Sequence, residues 1–124
     1  MKIVASDFGE RQVIQSYKAG GFRVSGVAYS QSLLVFPETS ILWSVSHIDR
    51  INESDFKPLC DRASQLDICI FGCGERMLPL PSLLKDLLKK ANISGESMNT
   101  AAACRTYNLL AVEGRSVAAA LICL

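Results

Sequence analysis

The sequence predicts an α/β fold with a mixed sheet, in one domain over residues 1–124. Three observations favour it. The chain has 124 residues, a length typical of one domain, and 49% of them are hydrophobic. Its first half contains short β-prone runs separated by turn residues. Its second half shows helical and strand patterns in the order helix, strand, helix, helix, strand.

Four short strands are predicted in the first half. Residues 13–17 and 22–24 flank residues 18–21, whose Gly-Gly pair indicates a hairpin turn. Residues 32–36 form an apolar run that a proline closes, and residues 41–45 form another. Strands of this spacing are typical of an antiparallel meander, so the N-terminal half is predicted to be rich in β-structure.

The first predicted helix begins near Ser54, a residue type that caps helix N-termini. Its apolar positions recur at the spacing of one helix face, and they are Phe56, Leu59, Cys60 and Ala63. A compact β-prone run follows at residues 67–71 and ends at Gly72-Cys73-Gly74.

Two further helices and a last strand complete the predicted second half. Ser82 follows a proline and opens a helix that Asn92 can end. One face of this helix is apolar and consists of Leu83, Leu84, Leu87, Leu88 and Ala91. The third helix runs from about Thr100 to Val112, and residues 116–123 form a buried strand.

Charge and hydropathy argue against several function classes. The 13 basic and 12 acidic residues are spread evenly along the chain, so no basic face for a nucleic-acid backbone is expected. No apolar stretch approaches the roughly 18 residues that a membrane span needs. The N-terminal residues resemble neither a secretory signal nor a transit peptide, and we therefore expect a cytoplasmic protein.

The cysteines are Cys60, Cys69, Cys73, Cys104 and Cys123. An odd number, placed mostly in apolar runs, argues against a disulfide framework and favours a reducing compartment. No C-x-x-C pair occurs, and the single histidine, His47, lies far from the cysteines in sequence. No metal site is predicted.

The Gly72-Cys73-Gly74 loop is a candidate site because it follows a buried strand directly. Ligands of open sheets bind at the carboxyl ends of strands, and glycine lets them approach the backbone. A sharp turn explains the glycines more simply, since no dinucleotide or P-loop motif is complete here. Cys73 lacks a neighbouring base that would activate it, so no catalytic residue is assigned.

The third helix carries polar residues in an otherwise apolar sequence. Asn99 or Thr100 can cap its N-terminus, where free N–H groups attract anions. Arg105 can bind a carboxylate or phosphate through two hydrogen bonds. The ligand-binding hypothesis comprises Gly72, Cys73, Gly74, Thr100, Arg105, Tyr107 and Asn108.

A structural role for the same helix residues is the favoured alternative. Arg105 would then pair with an acid such as Glu113 or Asp67. Tyr107 and Asn108 would hydrogen-bond the backbone of loops. The two interpretations differ in whether Arg105 is free or already paired.

Five segments carry a resemblance to a known family. They are residues 26–35, Trp43, residues 70–74, residues 99–110 and residues 113–121. These segments resemble the Mth-domain family, which includes the adipogenesis-associated Mth-domain protein and a mitochondrial assembly factor of respiratory complex I. One departure is Cys73, where the family more often has threonine.

The resemblance implies a single three-layer domain in which helices pack on a central mixed sheet. It implies no established catalytic activity and no cofactor, and a non-enzymatic role through protein partners such as respiratory-complex subunits or assembly factors. Because no leader precedes the domain, the chain resembles a bacterial, cytoplasmic member. The alternative function is a small-molecule-binding or enzymatic domain that uses the 72–74 loop and Arg105. A third hypothesis is self-association through Leu42 and Trp43.

Overall fold

A computed structural model describes residues 11–124 and contains eight strands and three α-helices within that range. The strands are β1 (Ile14–Lys18), β2 (Gly21–Val24), β3 (Val27–Tyr29), β4 (Leu33–Val35), β5 (Ser40–Leu42), β6 (Ile68–Gly72), β7 (Ser94–Met98) and β8 (Val117–Leu121). The helices are α1 (Glu53–Asp61), α2 (Ser82–Ala91) and α3 (Thr100–Val112).

The central sheet has five strands in the order β5-β4-β8-β6-β7. Strand β6 runs parallel to both β7 and β8, whereas β4 is antiparallel to β5 and β8. The predicted mixed sheet is therefore confirmed. Strands β1, β2 and β3 form a separate antiparallel sheet of three strands. A single meander of the four predicted runs was therefore wrong, because β4 and β5 belong to the central sheet and β3 was not predicted.

Each face of the central sheet has its own apolar core, because successive strand side chains point to opposite faces. On one face, Phe71 packs with Leu59 of α1 and Leu84 of α2. On the other face, Ile70 packs with Tyr107 of α3 and Phe22 of the small sheet. This arrangement confirms the predicted three layers.

Two tight turns build the three-stranded sheet. Lys18 pairs with Gly21 across a turn formed by Ala19 and Gly20, which confirms the predicted hairpin, although Gly21 itself begins β2. A second hairpin, which was not predicted, joins β2 to β3 through Ser25 and Gly26, with φ angles of 46° and 86°. Two consecutive positive φ angles are typical of a type I′ turn, the two-residue loop that suits the twist of paired strands.

The helix boundaries follow the predictions with one correction. Asn52 caps α1, not Ser54, and it forms a capping box with Asp55. Asn92 ends α2 in the left-handed conformation, as predicted. The Asn99 side chain accepts a hydrogen bond from the Ala102 N–H at 2.8 Å, so Asn99 is the N-cap of α3.

The prediction that helices α2 and α3 follow each other directly was wrong, because strand β7 lies between them. Its sequence, Ser-Gly-Glu-Ser-Met, has little β propensity. Parallel pairing with β6 imposes the extended conformation. The predicted strand at residues 41–45 is also shorter than expected, since β5 ends at Leu42.

Candidate functional site

The carboxyl ends of β6, β7 and β8 lie at one edge of the central sheet, where sites of α/β proteins commonly form. The structure brings the Gly72–Gly74 loop and the start of α3 together at this edge. The Thr100 N–H donates to the Gly74 carbonyl at 2.8 Å, and the Gly74 N–H donates to Thr100 Oγ1 at 2.9 Å. These two hydrogen bonds join the loop directly to the helix.

The polar groups at this edge of the sheet form hydrogen bonds with one another. The buried Thr100 hydroxyl also donates to the Ile122 carbonyl at 2.8 Å. The Cys73 N–H donates to the Met98 carbonyl, and the Ile122 N–H donates to the Gly72 carbonyl. Thr100 therefore links two strand ends to a helix, which is a structural role.

Gly72 is required by the close packing of α3 on β6. A Cβ atom at this position would lie 3.0 Å from Thr100 Cα, 3.1 Å from Ala103 Cβ and 3.2 Å from Leu121 Cδ2. Atoms of Thr100, Ala103 and Leu121 thus occupy the space beside Gly72. Gly74 differs, because its φ of 103° belongs to the left-handed region that favours glycine.

The Cys73 thiol is 7% exposed and lies against backbone carbonyls. Its Sγ is 3.8 Å from the Phe71 oxygen and 3.7 Å from the Leu78 oxygen. Burial raises the pKa of this thiol, and hydrogen bonds from the backbone oppose the shift only in part. These surroundings disfavour the thiolate that a nucleophile would need.

Thiol labelling tests the environment of Cys73. With a disulfide reagent at mildly alkaline pH, we expect the exposed Cys60 to react first in the native protein. Cys73 should react only on unfolding, together with the buried Cys69 and Cys104, because burial raises the pKa of all three thiols. Peptide mapping after timed quenching measures the order. Labelling of Cys73 as fast as Cys60 would contradict the buried environment.

Tyr107 and Asn108 of α3 hydrogen-bond main-chain groups of the N-terminal segment. The Tyr107 hydroxyl lies 3.1 Å from the Gln12 oxygen and 3.4 Å from the Phe36 oxygen. Asn108 Oδ1 accepts from the Ile14 N–H at 2.9 Å, and Asn108 Nδ2 donates to the Ile14 oxygen at 2.8 Å. The structural alternative predicted for these two residues is confirmed, with Ile14 lying at the start of β1 rather than in a loop.

Arg105 is exposed, and its partner differs from the predicted acids. Its Nη1 donates to the Tyr17 hydroxyl at 2.7 Å, so the predicted pairing with Glu113 or Asp67 was wrong. Tyr17 lies on β1, and Arg105 therefore sits over the small sheet. A ligand role for Arg105 stays a prediction. Among the seven residues of the ligand-binding hypothesis, Arg105 is the one with a charged side chain, and this side chain is exposed.

Leu42 and Trp43, the two candidates for self-association, have different environments. Leu42 is 58% exposed on the edge strand β5, whereas Trp43 is 3% exposed and belongs to the core. The Trp43 indole N–H donates to the Asp55 carbonyl at 3.0 Å. Trp43 is therefore excluded as an interface residue, and self-association through Leu42 stays a prediction.

A second candidate surface, which sequence reasoning missed, is a groove of about 370 Å³ on the outer face of the three-stranded sheet. Its lining residues are Ser16, Lys18, Gly20, Gly21, Phe22, Arg23, Ala28, Tyr29 and Ser30. They include two basic residues and no acidic one. The sequence does indicate the basic character of this groove, because residues 11–37 contain three basic residues and neither Asp nor Glu.

Within residues 11–124, no group of three or more His, Cys, Asp and Glu side chains is arranged to hold a metal ion. Over the same residues, no helix has the length and apolar character to cross a membrane.

Comparisons with known proteins relate the chain to bacterial and animal proteins. Residues 14–122 match the profile of a family described as a protein of unknown function (DUF498/DUF598). The chain is 28% identical over 122 residues to NADH dehydrogenase (ubiquinone) 1 alpha subcomplex assembly factor 3 of Rattus norvegicus. That alignment covers 98% of this chain and 66% of the rat protein, so the chain spans just under two thirds of its length.

Solved bacterial structures share the fold. The crystal structure of an outer membrane protein from Bartonella henselae superposes with a TM-score of 0.84 at 32% identity, covering 90% of this chain and 93% of that one. The solution structure of a Bordetella pertussis protein, a Mth938-like domain, superposes with a TM-score of 0.77 at 25% identity. The second match covers 98% of this chain and 89% of that one.

Proposed function

The chain belongs to the DUF498/DUF598 family, and from this membership we propose that it is a binding protein that assists the assembly of respiratory complex I. The resemblance noted in the sequence is confirmed by the Mth938-like structure and by the rat assembly factor, and the bacterial matches support a bacterial member. The observation that carries the proposal is the match to that assembly factor along 98% of this chain.

The geometry of the site supports a role through protein contacts. Thr100, Tyr107 and Asn108 direct their polar groups to main-chain partners, and burial disfavours the Cys73 thiolate. Leu109, 60% exposed, and Val112, 42% exposed, lie one turn apart on α3 and form apolar surface of the kind that partners cover. A non-enzymatic assembly role is the function that fits these features together.

A cytoplasmic location is part of the same proposal. All five cysteines are free thiols in the structure, which fits a reducing compartment. Fractionation of the native host tests it. We expect the protein in the soluble cytoplasmic fraction, and recovery from the periplasm or envelope would contradict this part of the proposal.

A second candidate function rests on Arg105. Its guanidinium is exposed and hydrogen-bonded to a hydroxyl group, not to a carboxylate, so its charge can attract an anionic ligand. In this alternative the chain binds a small anion next to Tyr17.

Deletion of the gene in its native host tests the assembly role. We expect membranes of the deletion strain to contain less assembled complex I on native gels, and a plasmid-borne copy of the gene to restore it. The Arg105→Ala variant distinguishes the two candidate functions, because it should restore assembly fully if protein contacts suffice. If the Arg105→Ala protein accumulates normally but does not restore assembly, the ligand at Arg105 is favoured. Lys85→Gln, which also removes an exposed positive charge, is the control substitution.

A further inference from the structure

The groove on the three-stranded sheet has a floor of small residues and two basic side chains above it. The pairing register places Ser16, Arg23 and Ala28 side by side on this face. Lys18 pairs with Gly21 in the next row of the same face. A Cβ at Gly21 would lie 2.5 Å from the Tyr29 carbonyl oxygen, so the Tyr29 backbone lies against Gly21 and only glycine fits in this row. The residues between the two basic side chains are therefore small, and the cationic groups stand beside them.

Both basic side chains are available to an anionic partner. Arg23 and Lys18 are exposed, and neither forms an ion pair with an acidic residue of the described chain. Arg23 Nη1 donates to the Gly26 carbonyl at 2.9 Å, which holds the guanidinium toward the β2–β3 turn. The other N–H groups of this guanidinium can still donate hydrogen bonds.

The groove borders an open sheet edge. Strand β3 is the last strand of its sheet within the described residues, and it carries no charged side chain and no proline. In a hairpin closed by a two-residue turn, Val24 and Val27 form the hydrogen-bonded pair. The N–H and C=O of Ala28 therefore point away from β2, toward the free edge.

We propose that an extended acidic segment of a partner protein adds to the edge of β3 and places its acidic side chains in this groove. The proposal rests on the proposed function, since it names the chemistry of the partner. A residue paired with Ala28 projects onto the groove face, roughly 10 Å from the Arg23 backbone at the usual strand spacing. Glutamate and arginine side chains together span that distance. A residue two positions along faces the row of Lys18 and Gly21.

This geometry specifies the sequence of the segment. Acidic residues two positions apart both project onto the groove face, the first in the row of Arg23 and the second in the row of Lys18, whereas a helix would not present this spacing on one side. The open edge favours an extended peptide over a free anion or a nucleic acid, because neither of those ligands can continue a β-ladder through Ala28.

The test is binding of a fluorescent peptide of about ten residues, the length of a long strand, in which glutamate alternates with threonine. The matched control peptide has glutamine in place of glutamate. We expect the acidic peptide to bind and its affinity to fall by about tenfold in Lys18→Gln/Arg23→Gln, because both exposed positive charges of the groove are removed. The control Lys85→Gln/Lys89→Gln removes the same charge from α2 and should leave the affinity unchanged.

Amide hydrogen exchange measured by NMR adds a readout that does not depend on variants. The bound peptide should slow exchange of the Ala28 amide, since that N–H becomes a ladder donor. No acidic-peptide binding, binding unaffected by Lys18→Gln/Arg23→Gln, or an unprotected Ala28 amide would overturn the proposal. So would equal binding of an oligonucleotide, or full displacement by inorganic phosphate at matched ionic strength.

The peptide and deletion experiments fail independently. If deletion lowers assembled complex I but the peptide does not bind, the groove is not the docking surface and the assembly role stands. If the peptide binds as predicted and deletion has no effect on complex I, the acidic-segment site stands and the assembly role is wrong.

Discussion

Replacement of Asn108 by leucine is expected to lower the free energy of unfolding by about 2–6 kcal/mol, a large share of the roughly 5–15 kcal/mol of a typical domain. The Asn108 side chain hydrogen-bonds both the N–H and the C=O of Ile14, and both residues are buried. Leucine has the same branched shape at Cγ and no polar side-chain atoms. It would leave two buried backbone groups without partners, each of which costs about 1–3 kcal/mol.

Urea unfolding followed by tryptophan fluorescence measures this effect, because Trp43 is the single tryptophan and is buried. The neighbouring Leu109 offers a matched control on the same helix, since its side chain is 60% exposed. Leu109→Ala should change the unfolding free energy by about 0.5 kcal/mol or less. An Asn108→Leu variant as stable as the parent would show that these two hydrogen bonds do not anchor β1.

Substitution of Gly72 by alanine is expected to lower the unfolding free energy by about 1–3 kcal/mol. The added methyl group would lie between 3.0 and 3.2 Å from three atoms at once. One of them is the Cα of Thr100, which the hydrogen bonds to Gly74 and Ile122 hold in place. Helix α3 must therefore move away from β6, and burial on both sides leaves little room for that movement.

A double-mutant cycle with Ala103→Gly separates overpacking from other effects. Ala103 Cβ is the contact at 3.1 Å, and its removal gives the new methyl group space. We expect Gly72→Ala/Ala103→Gly to be less destabilised than the sum of the single variants. Strict additivity would indicate that contact with Ala103 is not the cause. A Gly72→Ala variant of parental stability would contradict the close packing altogether.

Elements with a strong local signal were predictable from the sequence. The apolar patterns of α1, α2 and β8 predicted their buried positions, such as Leu59, Leu84 and Val117. Cys60 and Leu83, predicted on the same helix faces, are exposed. Strand β7 could not be predicted, because Ser94, Gly95 and Glu96 have low β propensity and take their conformation from β6. The cap of α1 was misplaced by two residues because Asn52 and Ser54 are both good capping residues.

For the candidate site, the limit of prediction from the sequence lay in the side-chain contacts. The ligand-binding hypothesis placed the 72–74 loop and Thr100 in one site, and the structure joins them by two hydrogen bonds. The rule that parallel strand ends share one edge could not predict this contact, because strand β7, which leads to Thr100, was not recognised in the sequence. The partners of Arg105 and Asn108 did not follow, because Tyr17 and Ile14 lie about 90 residues away in sequence, and side-chain partners at that separation depend on the finished fold.

The groove on the small sheet was missed for a related reason. Even charge along the whole chain concealed the acid-free stretch that contains Lys18 and Arg23. Its concave shape depends on cross-strand neighbours such as Gly21 and Ala28, and the hairpin register had to be known before they could be placed together.

The central claim is that this chain acts through a protein partner in the assembly of complex I, and the amount of assembled complex I in a deletion strain tests it most directly. The account predicts less assembled enzyme in the deletion strain, with recovery from a gene copy that carries Arg105→Ala. Unchanged assembly after deletion would contradict the account.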